Sequence, residues 1–160
     1  METRMLEVKM AVAAFLTAIG TILGWKGIMA VVWVVVMALD YLSGTMAARK
    51  NKEWNSERAR EGLSHKGGMI LVGLVAGITD GILAVISAVI PHLQVAWPGV
   101  VLPLVLAWYI LTELGSILEN AVELGAAVPG WLTRGLKISL KSVEQLGNDS
   151  VHEDGDEPIE

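Results

Sequence analysis

The stretch MILVGLVAGITDGILAVISAVI, residues 69–90, decides the fold of this chain. It contains 22 residues, and Asp80 is the only one that carries a charge. A helix needs about 20 mostly apolar residues to cross the hydrocarbon core of a bilayer. The stretch therefore predicts a transmembrane helix with an acidic side chain near its middle.

The composition of the whole chain agrees with a membrane protein. Of its 160 residues, 53% are hydrophobic and 18% are charged, and the mean hydropathy is +0.54. The net charge of -5 hides an uneven distribution, because residues 2–66 carry nine basic and six acidic side chains, and residues 67–160 carry three and eleven. No basic face suited to nucleic acid follows from this pattern. The sequence has no cysteine, which excludes disulfides and thiolate metal sites.

Further apolar stretches flank this segment and predict additional spans. Residues 28–44 and 100–118 each contain one charged residue, and residues 10–24 form a shorter apolar arm. Between residues 10–24 and 28–44, the sequence Gly24-Trp25-Lys26-Gly27 favours a helical hairpin turn, because glycine permits the turn while Trp and Lys prefer the interface. The first arm is only about 22 Å long as a helix, so it is a tilted span, a re-entrant arm or a surface helix. A cleaved signal peptide is an alternative, although its leading segment has no net positive charge.

The segment of residues 45–67 predicts the orientation. Six of its side chains are basic and three are acidic, and short loops rich in Lys and Arg stay in the cytoplasm. The turn at Trp25 and the turn from Pro91 to Pro98 then lie outside. Both termini are cytoplasmic if the first arm spans; if it does not, the chain has three spans and its N-terminus is outside.

The C-terminal part follows a transmembrane domain of residues 1–128. Residues 129–146 place apolar side chains at helical spacing: Leu132, Leu136, Leu140, Val143 and Leu146. Such a basic amphipathic helix is expected on the inner leaflet, with packing against a neighbouring copy as the alternative. Residues 147–160 hold six acidic residues and predict a disordered tail. The fold class is thus an all-α membrane protein with three to four transmembrane helices plus a C-terminal amphipathic helix, assembled as an oligomer.

Asp80 is the first candidate functional residue, because an ionised group in mid-membrane costs about 2.5 to 3.5 kcal/mol and needs a polar partner or water. Gly73, Gly77 and Gly81 recur at one helical spacing beside it. Glycines at this spacing let a second backbone approach closely. They predict close packing on this face, either between copies of the chain or within one chain.

Glu113 is the second candidate functional residue, because it is a charged residue expected at membrane depth. It begins a polar stripe with Ser116, Asn120 and Glu123, although Asn120 and Glu123 are also explained by a helix that has already left the bilayer. Asp40 lies near the end of its helix, where an acid opposes the helix dipole. An ion pair with Arg49 or Lys50 is expected to offset this unfavourable interaction of Asp40 with the dipole.

Nothing in the sequence supports catalysis. The histidines, His65, His92 and His152, lie in separate segments, so no local metal site or proton relay can be assembled from them. No Gly-rich phosphate loop is present either. The chain is therefore expected to be no enzyme and to bind no cofactor or metal.

Two motifs resemble a known family. The first is Asp40-Tyr41-Leu42-Ser43-Gly44, followed by a basic loop that ends His65-Lys66-Gly67-Gly68. The second runs from Tyr109 to Asn120, with Glu113, Ser116, Glu119 and Asn120 in the pattern E-x-x-S-[IL]-x-E-N. From about Lys26 to Leu146 the chain resembles the toxin-secretion and phage-lysis holins of clostridial phages and toxin loci. The glycine-rich flank and the acidic tail depart from that pattern.

The resemblance implies a small protein that oligomerises in the bacterial cytoplasmic membrane and opens lesions for an endolysin or a toxin. Its partners would be the bilayer, further copies of itself and, functionally, the released protein. A small ion-coupled or proton-coupled transporter or channel subunit, in which Asp80 and Glu113 bind the coupling ion, is the alternative. An inert scaffold protein is a third.

Overall fold

The computed structural model describes residues 2–90 and 97–152, without the side chains of most residues before Gly24. These residues form four helices, α1 (Glu2–Lys50), α2 (Ser56–Val89), α3 (Val101–Glu123) and α4 (Gly130–His152), and no strand. Three of their segments are long and apolar enough to cross a membrane: Gly24–Lys50, Ala59–Val89 and Val101–Glu123. The all-α membrane fold is therefore confirmed, and a span over residues 10–24 stays a prediction.

Helix α1 is interrupted at Gly24. This residue has φ 63° and ψ -171°, a backbone conformation that is almost confined to glycine. The break lies one residue before the expected turn at Trp25. Residues 2–23 and the segment Gly24–Lys50 are thus separate helical arms.

The predicted loop of residues 45–67 is mostly helical. Helix α1 continues to Lys50 and α2 begins at Ser56, so residues 51–55 alone connect them. Asn55 caps α2, because its side-chain oxygen accepts a hydrogen bond of 2.8 Å from the backbone N–H of Glu57. Hydropathy marks where a helix meets the bilayer, whereas caps of this kind decide where its backbone hydrogen bonds begin.

Helix α3 is the centre of the bundle. It packs against α1, α2 and α4, while the backbones of α1 and α2 approach each other at few points. Helices α1 and α3 run parallel and α2 runs antiparallel to both, as the polar contacts described below require. The apolar core is small and consists of Trp33, Met37, Met69 and Leu106. The Trp33 ring also stacks on Tyr109, with centroids 5.6 Å apart.

One side of α2 is exposed. Its side chains Leu71, Val75, Ile78 and Val85 are each more than 60% exposed. A membrane helix needs no apolar protein partner on its outer side, because lipid tails are as apolar as leucine. This surface therefore suits contact with lipid.

Helix α4 folds back along α3. Leu136 and Leu140 lie across a cleft from Leu111 and Gly115, and further along α4 Val143 shares a cleft with the earlier α3 residues Leu104 and Trp108. The apolar stripe that was expected on the inner leaflet thus packs on α3, because a connection of six residues returns it to the nearest apolar helix.

The C-terminal boundary differs from the prediction as well. Helix α4 continues to His152, so residues 147–152, expected in the disordered tail, are helical. Residues 153–160 of that tail and residues 91–96 of the predicted outer turn lie outside the described residues.

Candidate functional site

Lys66 stands between two carboxylates that come from different helices. Its Nζ atom donates hydrogen bonds of 2.6 and 2.7 Å to the two carboxylate oxygens of Glu113 and one of 3.0 Å to Oδ2 of Asp40. The exposed fraction of the side chain is 14% for Lys66, 5% for Glu113 and 18% for Asp40. Buried charges persist when they are paired in this way. The trio therefore ties α1, α2 and α3 together.

Asn120 extends this cluster. Its Nδ2 atom donates to Oδ1 of Asp40 at 3.1 Å and to the Ser43 hydroxyl at 3.0 Å. A Cβ atom on Gly44 would lie 3.5 Å from the same nitrogen, so glycine leaves the room that Asn120 occupies. We call Asp40, Ser43, Lys66, Glu113 and Asn120 the central network.

The central network borders two open cavities. One, of about 190 Å³, is lined by Tyr41, Gly44 and Trp54 among others. The other, of about 540 Å³, includes His65, Tyr109 and Ser116 in its wall. Both cavities are bounded by Asp40, Gly62 and Lys66. The Asp40–Lys66 ion pair of the network therefore borders both cavities.

Asp80 caps the N-terminus of α3 from the neighbouring helix. Its carboxylate accepts hydrogen bonds of 3.1 Å from the backbone N–H groups of Val101 and Leu102, and one of 3.0 Å from the Trp97 indole. A first helical turn has N–H groups without an internal partner. Pro103 has no N–H group, and Leu104 already bonds to the Val100 carbonyl. Asp80 thus satisfies the two backbone donors at the start of this turn.

Asp80 also faces a cation. The Lys26 Nζ atom lies 3.7 Å from its Oδ2 atom, and Gly99, with φ 69°, leaves space for that ammonium group. The sequence predicted a polar partner or water for Asp80 without identifying the residue. Lys26 was assigned to the interfacial turn, yet the break at Gly24 brings it to the start of α3.

The C-terminus of α3 is capped from α1. Lys50 donates a hydrogen bond of 3.0 Å to the backbone carbonyl of Glu123, and the Asn51 amide donates one of 3.4 Å to the Glu123 carboxylate. A cation near the C-terminus of a helix interacts favourably with the helix dipole. The predicted ion pair of Asp40 with Lys50 or Arg49 is wrong, because Asp40 pairs with Lys66 and Lys50 caps α3.

The Asp80 site, the central network and the contact of Lys50 with Glu123 lie at successive levels along the bundle. Fourteen residues separate Lys26 from Asp40 on α1 and Lys66 from Asp80 on α2, which is about 21 Å of helix in each case. The charges of one helix therefore match those of the next in register.

The glycines of α2 have different surroundings. A Cβ atom on Gly73 would come within 3.0 Å of the Trp33 ring, and one on Gly77 within 3.7 Å of Leu102, whereas one on Gly81 would meet nothing within 4 Å. Gly73 and Gly77 thus serve packing within one chain. Of the three positions proposed for self-association, Gly81 alone remains open to a neighbouring copy.

The structure brings both sequence motifs to the same place. Asp40 and Gly44 of the first motif meet Glu113 and Asn120 of the second, and Ser116 lines the larger cavity. Tyr41 and Glu119 are exposed and stay outside the hydrogen bonds of the central network. Sequence reasoning gave no partner role to Lys66, Ser43 or Trp97. The position of Lys66, four turns before Asp80 and three residues before the apolar stretch 69–90, was the available signal.

Comparison with known proteins gives one family and two relatives. The sequence model of the bacteriophage holin family matches residues 17–141. An uncharacterized protein of Clostridium perfringens (strain 13 / Type A) is 32% identical over 137 residues, which cover 86% of this chain and 93% of that protein. An uncharacterized 14.9 kDa protein of Clostridium perfringens, in the nagH 3'region, is 31% identical over 76% of this chain and 87% of its own length. No solved structure matches.

Proposed function

Since the chain belongs to the bacteriophage holin family, we propose that it assembles into homo-oligomers in the bacterial cytoplasmic membrane and opens lesions there. An endolysin or a secreted toxin then crosses the membrane through these lesions. The proposed orientation places the basic residues around the connection between α1 and α2 in the cytoplasm, as the excess of Lys and Arg favours.

The observation that carries this proposal is the central network. It joins the three membrane spans through side chains from both family motifs, and within one chain Glu113 is buried while Lys66 and Asp40 are partly buried. Removing one partner of a buried pair leaves an uncompensated charge, which is strongly unfavourable. A chain held closed in this way can accumulate in the membrane, and re-pairing of the same groups accompanies assembly into a lesion.

The test compares Glu113→Gln with Glu119→Gln, because both residues lie on α3 while Glu119 is exposed. We expect Glu113→Gln to shift the time of lysis after induction and Glu119→Gln to leave it unchanged, at matched membrane abundance. The measurements are optical density, respiration and release of a folded cytoplasmic reporter. Equal lysis times for all three proteins would contradict a gating role for the network.

The cavity of about 540 Å³ beside Glu113 favours a second candidate, a pathway for ions alone. The same experiment separates the two functions. A holin halts respiration abruptly and releases the folded reporter, whereas a channel or transporter subunit dissipates an ion gradient and retains the reporter.

A further inference from the structure

Helix α4 lies beside the part of α3 that spans the membrane. Its apolar residues Leu136, Leu140 and Val143 share clefts with α3 residues from Leu104 to Glu119. The α3 segment Val101–Glu123 is itself long and apolar enough for a crossing. In this arrangement α4 is therefore at membrane depth, and its apolar side packs on α3.

The outward surface of α4 carries cations beside the exposed apolar side chains Trp131 and Ile138, and Lys137 borders the cleft with α3. Arg134, Lys137 and Lys141 follow one another at intervals of three and four residues, so they lie on one side of the helix. All three are exposed, and none of them forms an ion pair with a side chain that the structure describes. Arg134 donates only to the carbonyl of Gly130 in its own first turn.

Lipid is not a suitable neighbour for such a surface. Charged side chains at membrane depth face a water-filled cavity or the interior of a bundle. A single chain with α4 on its outside encloses no water, whereas several copies arranged with α4 inward do. The exposed apolar side of α2, with Leu71, Val75 and Ile78, then suits the lipid-facing side of the same ring.

We propose that α4 lines the water-filled passage of the oligomer, with the side of Arg134, Lys137 and Lys141 toward the lumen. This inference rests on the proposed function, since it assigns a surface to the lesion that the assembly forms. A ring of cationic side chains favours the passage of anions. In dilute salt, where the wall charges are screened least, the passage therefore prefers chloride to potassium.

The test uses the purified full-length chain in planar bilayers, because its lack of cysteine makes every introduced thiol unique. An anionic methanethiosulfonate reagent is added to Lys141→Cys, with Lys137→Cys as the second position and Val75→Cys on α2 as the matched control. We expect a stepwise change of conductance for the two α4 variants and none for the control. The double variant Lys137→Glu, Lys141→Glu should lower the chloride-to-potassium permeability ratio at least about twofold, and Arg60→Glu should not.

Each outcome has a distinct meaning. The absence of any conductance from the unaltered chain contradicts the proposed function itself. Conductance that is present but insensitive to the reagent and to charge reversal overturns the lumen assignment alone, and it returns α4 to the membrane surface. Loss of conductance in both cysteine variants before the reagent is added also counts against it, since a neutral side chain facing water should be tolerated.

Discussion

The carboxylate of Asp80 holds the first turn of α3, the Trp97 indole and the Lys26 ammonium group at one point. Hydrogen bonds to an ionised acceptor are roughly twice as strong as neutral ones. Asp80→Asn keeps the shape of the side chain but loses the charge and leaves Lys26 without its counter-ion. We therefore expect the closed form to be weakened and lysis to come earlier than in the wild type.

The matched control for Asp80→Asn is Thr79→Ala. Thr79 is the preceding residue on α2, and its hydroxyl bonds only to the Val75 carbonyl of its own helix. Lysis times are compared at equal membrane abundance. A delay in Asp80→Asn would mean that the charge favours opening, and an unchanged time would leave Asp80 as a packing residue.

Lys66 is the single cation between Asp40 and Glu113 in the central network. Lys66→Met leaves two neighbouring carboxylates without it, and breaking a buried pair costs about 3–5 kcal/mol. We expect the free energy of unfolding in detergent micelles to fall by about that amount, measured by tryptophan fluorescence during denaturation. Arg60→Met, an exposed cation on the same helix, should change it little; equal losses would show that the ion pairs do not stabilise the fold.

At the scale of the element, the glycines of α2 divide into two roles. Gly73→Leu pushes the Trp33 ring away from α2, and overpacking of this kind costs about 1–3 kcal/mol. We expect it to lower the stability of the monomer. Gly81→Leu meets no neighbour within the chain and should leave the monomer intact.

Chemical crosslinking of the same two variants measures self-association. We expect Gly81→Leu to reduce crosslinked oligomers, because it closes the one glycine surface that remains open. Oligomers unchanged in Gly81→Leu would show that copies do not meet through this face of α2.

The helices themselves were predictable, because long apolar runs such as residues 69–90 have few alternatives. Their ends were not. The extension of α1 to Lys50 and the start of α2 at Ser56 depend on caps and on contacts with other helices, which hydropathy does not report. The packing of α4 on α3 was not predicted for a related reason, since an amphipathic stripe fits an apolar helix as well as a membrane surface.

At the scale of the whole molecule, the connection between α1 and α2 is predicted to face the cytoplasm. Asn51 is exposed in this connection, so Asn51→Cys should resist an impermeant thiol reagent added to intact cells before lysis. Trp25→Cys, exposed just after the break in α1, should react and serves as the control. If Asn51→Cys were labelled and Trp25→Cys were not, the orientation would be the opposite of the predicted one.

The candidate site was predictable residue by residue and not as a network. Asp40, Glu113 and Asn120 were identified from their motifs, and Asp80 from its charge in an apolar helix. Their partners Lys66 and Lys26 could not be assigned, because the register between α1, α2 and α3 is set by packing around Trp33 and Tyr109. Sequence spacing along one helix does not fix the register of another.

The central place of α3 has a consequence for how the chain is made. Synthesis proceeds from the N-terminus, so α1 and α2 leave the ribosome while Asp80 still lacks the N–H groups it caps and Lys66 lacks Glu113. The backbones of these two helices approach each other at few points, so until α3 is made they are loosely associated and part of their charges lack a partner. The nascent protein can form its closed helix bundle only after α3 has been synthesised. A translation product that stops before residue 101 therefore lacks the contacts that close the bundle.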